Sequence, residues 1–365
     1  MEYIGEHILI GTIGQAFITI AFTAAILAAY SFYKSSINET LKSEWLPLAR
    51  GSFYTHGIAV IGIIVCMFIM IYNHYFEYQY VWQHSSKSLP THYMISCFWE
   101  GQEGSFLLWI FWNIILGLIV IRIAKKWEAP VLTIVSTIQA FLSSMIIGIY
   151  IADIKIGTSP FVLVRNLDEN IGLPWTQMEN YLQIVPQFMD GRGLNPLLQN
   201  YWMVIHPPVL FLGFALTMIP FCYAISALWK KEYSKWVNQA LPWTYAGIMV
   251  LGIGILMGGA WAYESLSFGG FWAWDPVENS SLVPWIILVA AAHLMLIFRA
   301  RKIGLRSTFA LTLLAFILVI YSTYLTRSGI LGDTSVHAFA GGLDYQLLFY
   351  PVSYTHLTLP TILLV

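Results

Sequence analysis

Along the chain, long apolar runs alternate with short polar loops. Runs long enough to cross a bilayer, about 20 residues each, fall at 8–33, 52–76, 105–123, 130–152, 202–228, 241–262, 283–298 and 307–326. The seventh is short by that measure and is expected to begin inside the preceding loop, and a ninth starts near Tyr345. The pattern predicts an all-α, polytopic membrane helical bundle of about eight to nine transmembrane helices. No stretch reads as a soluble domain or a low-complexity linker. The opening "MEYIGEHILIG" lacks the basic segment and small-residue cleavage site of a signal peptide, so the first run is expected to remain as a span.

Basic residues orient the spans. One set of short loops holds Lys34, Lys42, Arg50, Arg122, Lys125, Lys126, Lys230, Lys231, Lys235, Arg299, Arg301, Lys302 and Arg306. The other set holds Lys87, Lys155, Arg165, Arg192 and Arg327. The richer set is expected to be cytoplasmic and the N-terminus outside. Loops 77–104, 153–201, 263–284 and 327–344 then open on the external face, the periplasm in a bacterium.

Composition agrees with a membrane protein: 58% of residues are hydrophobic and 10% charged, with mean hydropathy +0.68. A net charge of −1 argues against nucleic acid as a partner. Cys66, Cys97 and Cys222 are far apart in sequence. That spacing excludes a C-x-x-C dithiol, a cysteine zinc cluster and a c-type haem attachment site within the chain.

The stretch "GGFWAWDPVENSSLVPW", Gly269 to Trp285, crowds aromatic rings and two carboxylates between apolar runs. Asp275 at the N-cap, Pro276 at N1 and Glu278 at N3 suffice as a helix start resembling a capping box. Tryptophans at span ends also suit the membrane interface. Neither explains the gathering of Trp261, Trp272, Trp274 and Trp285 beside Gly269 and Gly270, which suits a large, flat, apolar ligand. Stacking contributes on the order of 1 kcal/mol per ring pair beyond burial.

Of the nine histidines, three are unusually placed. His206, in "VIHPPVLFLG", precedes two prolines that bias it towards an extended backbone. His337, in "TSVHAFAGG", lies in the external loop after the eighth run. Two neutral imidazoles beside an aromatic platform are a natural pair of axial ligands for haem iron. His293 is at membrane depth, where polar side chains face the bundle interior and mark candidate sites; an interhelical hydrogen bond is the plainer role. In "CFWEGQEGSFLLW", Cys97 to Trp109, the polar residues either start the next helix or line a docking site.

"WAWDPVENSSLVPW" resembles the tryptophan-rich signature of the haem-handling cytochrome c biogenesis superfamily that includes CcmF, CcmC and CcsA proteins. "WEGQEGSFLLW", "HPPVLFLG" and "RSGILGDTSVHAFAGG", in that order, resemble the CcmF branch, and the likeness covers most of residues 50–345. The resemblance implies a core component of a haem lyase in the bacterial inner membrane, with a periplasmic active face. It would accept haem from the chaperone CcmE and present it to apocytochrome c, whose thiols a CcmH-type subunit holds. His206 and His337 would be axial ligands; Trp272, Trp274, Asp275 and Glu278 would belong to the platform, with Trp261 and Trp285 beside them. His293 would ligate the family's own haem b. No residue reads as an acid–base catalyst, so the chain reads as a positioning and redox scaffold. Alternatives are a haem exporter of the CcmC or CcsA kind and a quinol-linked b-type electron carrier. The haem-handling domain is expected over 1–351. The tail 352–365 departs from the family and is expected to be non-native, and the loop 153–201 is unexplained by the resemblance.

Overall fold

The computed structural model describes residues 3–37, 39–151, 154–267 and 269–331; His337 and the tail 352–365 lie outside them. Among the described residues, eight long helices carry the fold: α1 (Ile8–Ile37), α2 (Glu39–Tyr72), α3 (Gln102–Ile123), α4 (Glu128–Ser144), α5 (Tyr201–Trp229), α6 (Val237–Ser265), α7 (Pro276–Arg301) and α8 (Leu305–Arg327). Among the described residues, seven of them, all but α4, are long and apolar enough to cross a membrane. The all-α, multi-pass architecture follows. α7 starts at Pro276, inside the tryptophan loop, which lengthens the short seventh run as expected.

The run at 130–152 is the main departure. Its helix stops at Ser144 after 17 residues. Gly148 then takes φ +61° and Gly157 +65°, and between them β1 (Ile149–Ile151) pairs antiparallel with β2 (Ile154–Ile156), Tyr150 opposite Lys155. A short apolar run rich in isoleucine does not distinguish helix from strand, and the glycines settle it.

The chain forms two compact units. One comprises Met1–Leu27, Arg50–Phe111 and Gln139–Val204, and the other Ala28–Ala49, Trp112–Ile138 and the chain from Ile205 onward. In the first, Val164, Tyr181 and Phe188 make a small core with Tyr3, Trp82 and Trp175 packed on it. The N-terminus is tied to that core by charge. Arg165 donates to both carboxylate oxygens of Glu6 at 2.7 and 3.1 Å, and the Tyr181 hydroxyl donates to Glu6 at 2.9 Å. A fork of this kind is a strong form of ion pair because both oxygens are held. Deeper, His56 is fully buried. Its Nδ1 lies 2.8 Å from the Ala21 carbonyl and its Nε2 3.0 Å from Gln139, which also donates to the Ile110 carbonyl. Buried polar groups in an apolar span must find partners of this sort.

In the second unit, α6, α7 and α8 pack successively. α7 ends on Arg299 and Arg301 in its last turn, favourable at the negative end of the helix dipole. Lys302 and Gly304 follow with φ of +61° and +79°, closing the turn into α8. α5 and α6 cross very closely. A Cβ on Gly213 would lie 2.7 Å from Leu251 Cα, and one on Gly254 would lie 3.0 Å from Leu210 Cα. Glycines at such crossings let two helix backbones approach, the usual device of membrane helix packing.

Candidate functional site

That crossing continues to His206. Leu210 and Gly213 follow His206 by four and seven residues on α5, one face of a helix. Opposite them on α6 stand Gly258, Gly254 and Leu251. A Cβ on Gly258 would come within 2.9 Å of His206 Cε1. The three pairs, His206 with Gly258, Leu210 with Gly254 and Gly213 with Leu251, share one antiparallel register. The imidazole is therefore placed by the same glycine seam that packs the helices.

The backbone at His206 is helical, not extended as its sequence context suggests. α5 runs from Tyr201 through Pro207 and Pro208 without a break. The pre-proline bias is a preference, and a span whose backbone must hydrogen-bond internally overrides it. His206 Nδ1 lies 2.8 Å from the Gly254 carbonyl. A carbonyl only accepts, so Nδ1 carries the hydrogen, and in the neutral ring the lone pair sits on Nε2. Metal-binding imidazoles are commonly oriented in this manner.

The tryptophan loop reaches the same stretch of α6. The ring of Phe271 lies where a Cβ on Gly259 would be, adjacent to Gly258. The following residues are held by the start of α7. Asp275 Oδ1 accepts from the Val277 N–H at 2.8 Å, and Glu278 Oε2 accepts from the N–H groups of Asp275 at 3.2 Å and Ala273 at 2.9 Å. The capping box is complete. Both carboxylates thus act on the backbone, which is the plainer of their two roles read from sequence. Asn279 donates to the Trp274 carbonyl at 2.8 Å. Trp274 itself sits at φ +59°, a left-handed conformation that costs a bulky residue roughly 1–2 kcal/mol. Its ring is 71% exposed and stands edge-on to Trp272, 6.1 Å between centroids. The Trp272 N–H and the second oxygen of Glu278 are both buried, with no hydrogen-bond partner among the described residues. Backbone strain, an exposed ring and two unsatisfied polar atoms thus fall within seven residues, Trp272 to Glu278. Such features collect where a protein meets something else.

Two other tryptophans expected beside the platform pack against the helices. Trp285 donates to the Ile248 carbonyl at 2.8 Å and packs on Gly252, bracing α7 against α6. Trp261 is buried, at 8% exposure. In the first unit, Trp99 donates to the Met203 carbonyl at 3.0 Å, Tyr80 to the Phe98 carbonyl at 2.6 Å and Ser105 to the Trp99 carbonyl at 2.7 Å. The "WEGQEGS" segment is therefore a knot at the start of α3. His84 Nδ1 stands 3.1 Å from Glu100 within it, a pair sequence reading passed over. Burial pushes the Cys97 thiol up to about 12, which makes it inert as a nucleophile.

Among the described residues, none covers His293. It is exposed on α7, and its Nδ1 lies 2.8 Å from the Val289 carbonyl of its own helix. His337 lies outside the described residues. Phe271, Gly258 and Gly259 are the members that sequence reading missed. The glycine spacing along α6 was their only signal.

The profile of the family described as cytochrome C assembly protein matches residues 99–331, from the "WEGQEGS" knot past the end of α8. The chain is 34% identical over 309 residues to the cytochrome c-type biogenesis protein CcmF of Haemophilus influenzae, covering 83% of this chain and 42% of that one. It is 33% identical to the CcmF of Pseudomonas aeruginosa, covering 81% and 42%. The chain thus spans under half the length of these relatives. A solved structure named cytochrome c heme lyase CcmF superposes with a TM-score of 0.74 at 24% identity, over 98% of this chain and 51% of that one. By the extent of its match to the family profile, the chain belongs to the cytochrome C assembly protein family.

Proposed function

We propose that this chain is the haem-handling core of a cytochrome c maturation system. It accepts haem at the face carrying the tryptophan loop and presents it to apocytochrome c. The observation that carries this reading is the seating of His206: its tautomer is fixed by Gly254, and it lies against Gly258 beside the ring of Phe271 at Gly259.

The residues suit a haem. A neutral imidazole with its lone pair on Nε2 is the form that would hold haem iron. Phe271, Trp272 and Trp274 supply flat apolar surface, and the unsatisfied Trp272 N–H suits a propionate carboxylate. Asp275 and Glu278 shape the loop rather than meet the propionates, whose charge would repel theirs. Bound haem supplies the redox iron and the vinyl groups that an apocytochrome's thiols attack. The protein's part is to hold a molecule that would otherwise partition into lipid, loosely enough that an apocytochrome can take it. His337 is assigned as the second axial ligand on its sequence position alone.

The partners consistent with this role are the haem chaperone CcmE, a CcmH-type thiol-handling subunit and the apocytochrome, met at the periplasmic side of a bacterial inner membrane. His293 fits a separate b-type haem. It too donates Nδ1–H to a backbone carbonyl, and its outward position calls for a second ligand from outside the described residues.

The experiment is haem uptake from haem-loaded CcmE by the purified chain. A Trp272→Ala, Trp274→Ala double variant should accept several-fold less haem while remaining folded. Undiminished uptake would remove the platform from the account.

A further inference from the structure

A cavity of about 620 Å3 opens on the first unit, away from the tryptophan loop in the chain. One wall is the first three turns of α1, from Ile8 to Thr19, and the other is the β1–β2 hairpin with Phe161 and Leu163. Its length along α1 is about 16 Å at the helical rise per residue. The size falls within the range of ligand sites, roughly 300–1,000 Å3.

The floor offers few unsatisfied polar groups. Gln15 donates to the Ile147 carbonyl at 3.0 Å and accepts from Ser159 at 2.7 Å. The Tyr78 hydroxyl donates to the His7 carbonyl at 2.8 Å and accepts from the Gly11 N–H at 3.0 Å. A small polar solute would find little to bind there, whereas an alkyl chain would bury apolar wall. The adjacent face of α1 exposes Leu9 at 73% and Ile13 at 40%, an apolar surface of a membrane-span helix. An alkyl chain lying against that apolar face would meet the cavity along the Ile8–Thr19 wall.

The rim carries the specificity. Lys155 Nζ sits over the Tyr150 ring, 5.8 Å from its centroid, while the Tyr150 hydroxyl donates to Asp168 at 2.7 Å. One tyrosine thus holds a cation over its face and an anion at its tip, and no ion pair joins Lys155 to Asp168 among the described residues. A phosphate beside Lys155 and an ammonium beside Asp168 would satisfy both. We propose that this cavity binds a zwitterionic phospholipid ending in a primary ammonium, phosphatidylethanolamine, with an acyl chain lying along α1 and the headgroup bridging Lys155 and Asp168.

The test is native mass spectrometry of the chain purified in mild detergent and exposed to equimolar phosphatidylethanolamine and phosphatidylglycerol. The wild type should retain mainly the former. Lys155→Glu should weaken retention about tenfold, the change that 1.4 kcal/mol gives. Asp168→Lys should reverse the preference towards phosphatidylglycerol. Ala16→Trp, which fills the channel, should remove both. The two rim positions are exposed, so those variants report even where Ala16→Trp fails to fold. Equal retention of both lipids by the wild type, unchanged selectivity in the rim variants, or a bound quinone in place of phospholipid would each overturn the proposal.

Discussion

His206 and Gly258 face each other across the α5–α6 crossing so closely that a single methyl group on the glycine would come within 2.9 Å of the imidazole. Glycine in a helix interior usually costs about 1 kcal/mol relative to alanine, so Gly258→Ala would ordinarily stabilise α6. Here it should do the reverse, because the added carbon displaces the ring or spreads the seam; overpacking typically costs 1–3 kcal/mol. The check is thermal unfolding of the purified variant together with its haem uptake, both of which should fall. A variant more stable than wild type with full uptake would show that the seam does not hold the imidazole.

Trp274 allows stability and binding to be separated. Its left-handed backbone is strained, and its ring is mostly exposed. Trp274→Gly should therefore leave the protein as stable as wild type or up to about 1 kcal/mol more so, while lowering haem uptake. A loss of stability would mean that the ring is a packing residue.

The capping box gives a complementary result. Removing either side chain, by Asp275→Ala or Glu278→Ala, should cost about 0.5–2 kcal/mol. Glu278→Ala should also free the Ala273 and Asp275 N–H groups that now fix the loop. Hydrogen exchange across residues 271–279 should rise more in Glu278→Ala than in Asp275→Ala.

Glu77 predicts a pH dependence. Burial is the largest influence on this carboxyl and raises its pKa above the ordinary 4.5, against opposing hydrogen bonds from His7. The folded state therefore holds its proton where the unfolded chain has lost it. That contribution is fully present below pH 4.5 and fades as pH rises through the raised value. Unfolding temperature measured in detergent from roughly pH 4 to 8 should show a declining component that Glu77→Gln removes. The same slope in the variant would assign it to another group.

Much of this was readable from residues. The capping box at Asp275–Glu278 rests on local spacing, and α7 begins where Pro276 places it. Long apolar runs marked the seven spans because a bilayer demands length and hydropathy together. What the residues did not show was what depends on the packed environment of a helix rather than on a local motif. The extended backbone expected at His206 rested on its proline neighbour alone. The inward orientation expected of His293 ignored the carbonyl of Val289, one turn back, which takes its Nδ1–H. The contacts of Trp285 with Gly252 and Ile248, and the burial of Trp261, also depend on neighbours that the local sequence does not name. Phe271 carried no signal of its own, since its partner is a glycine on another helix.

The central claim is that haem is held through His206 beside the tryptophan loop. Its most direct test is the visible spectrum, oxidised and dithionite-reduced, of the chain purified after co-expression with a haem-loaded donor, beside His206→Ala and His293→Ala variants. The account predicts a haem component that disappears in His206→Ala and persists in His293→Ala. A spectrum unchanged by His206→Ala and abolished by His293→Ala would contradict it and place the bound haem within the membrane.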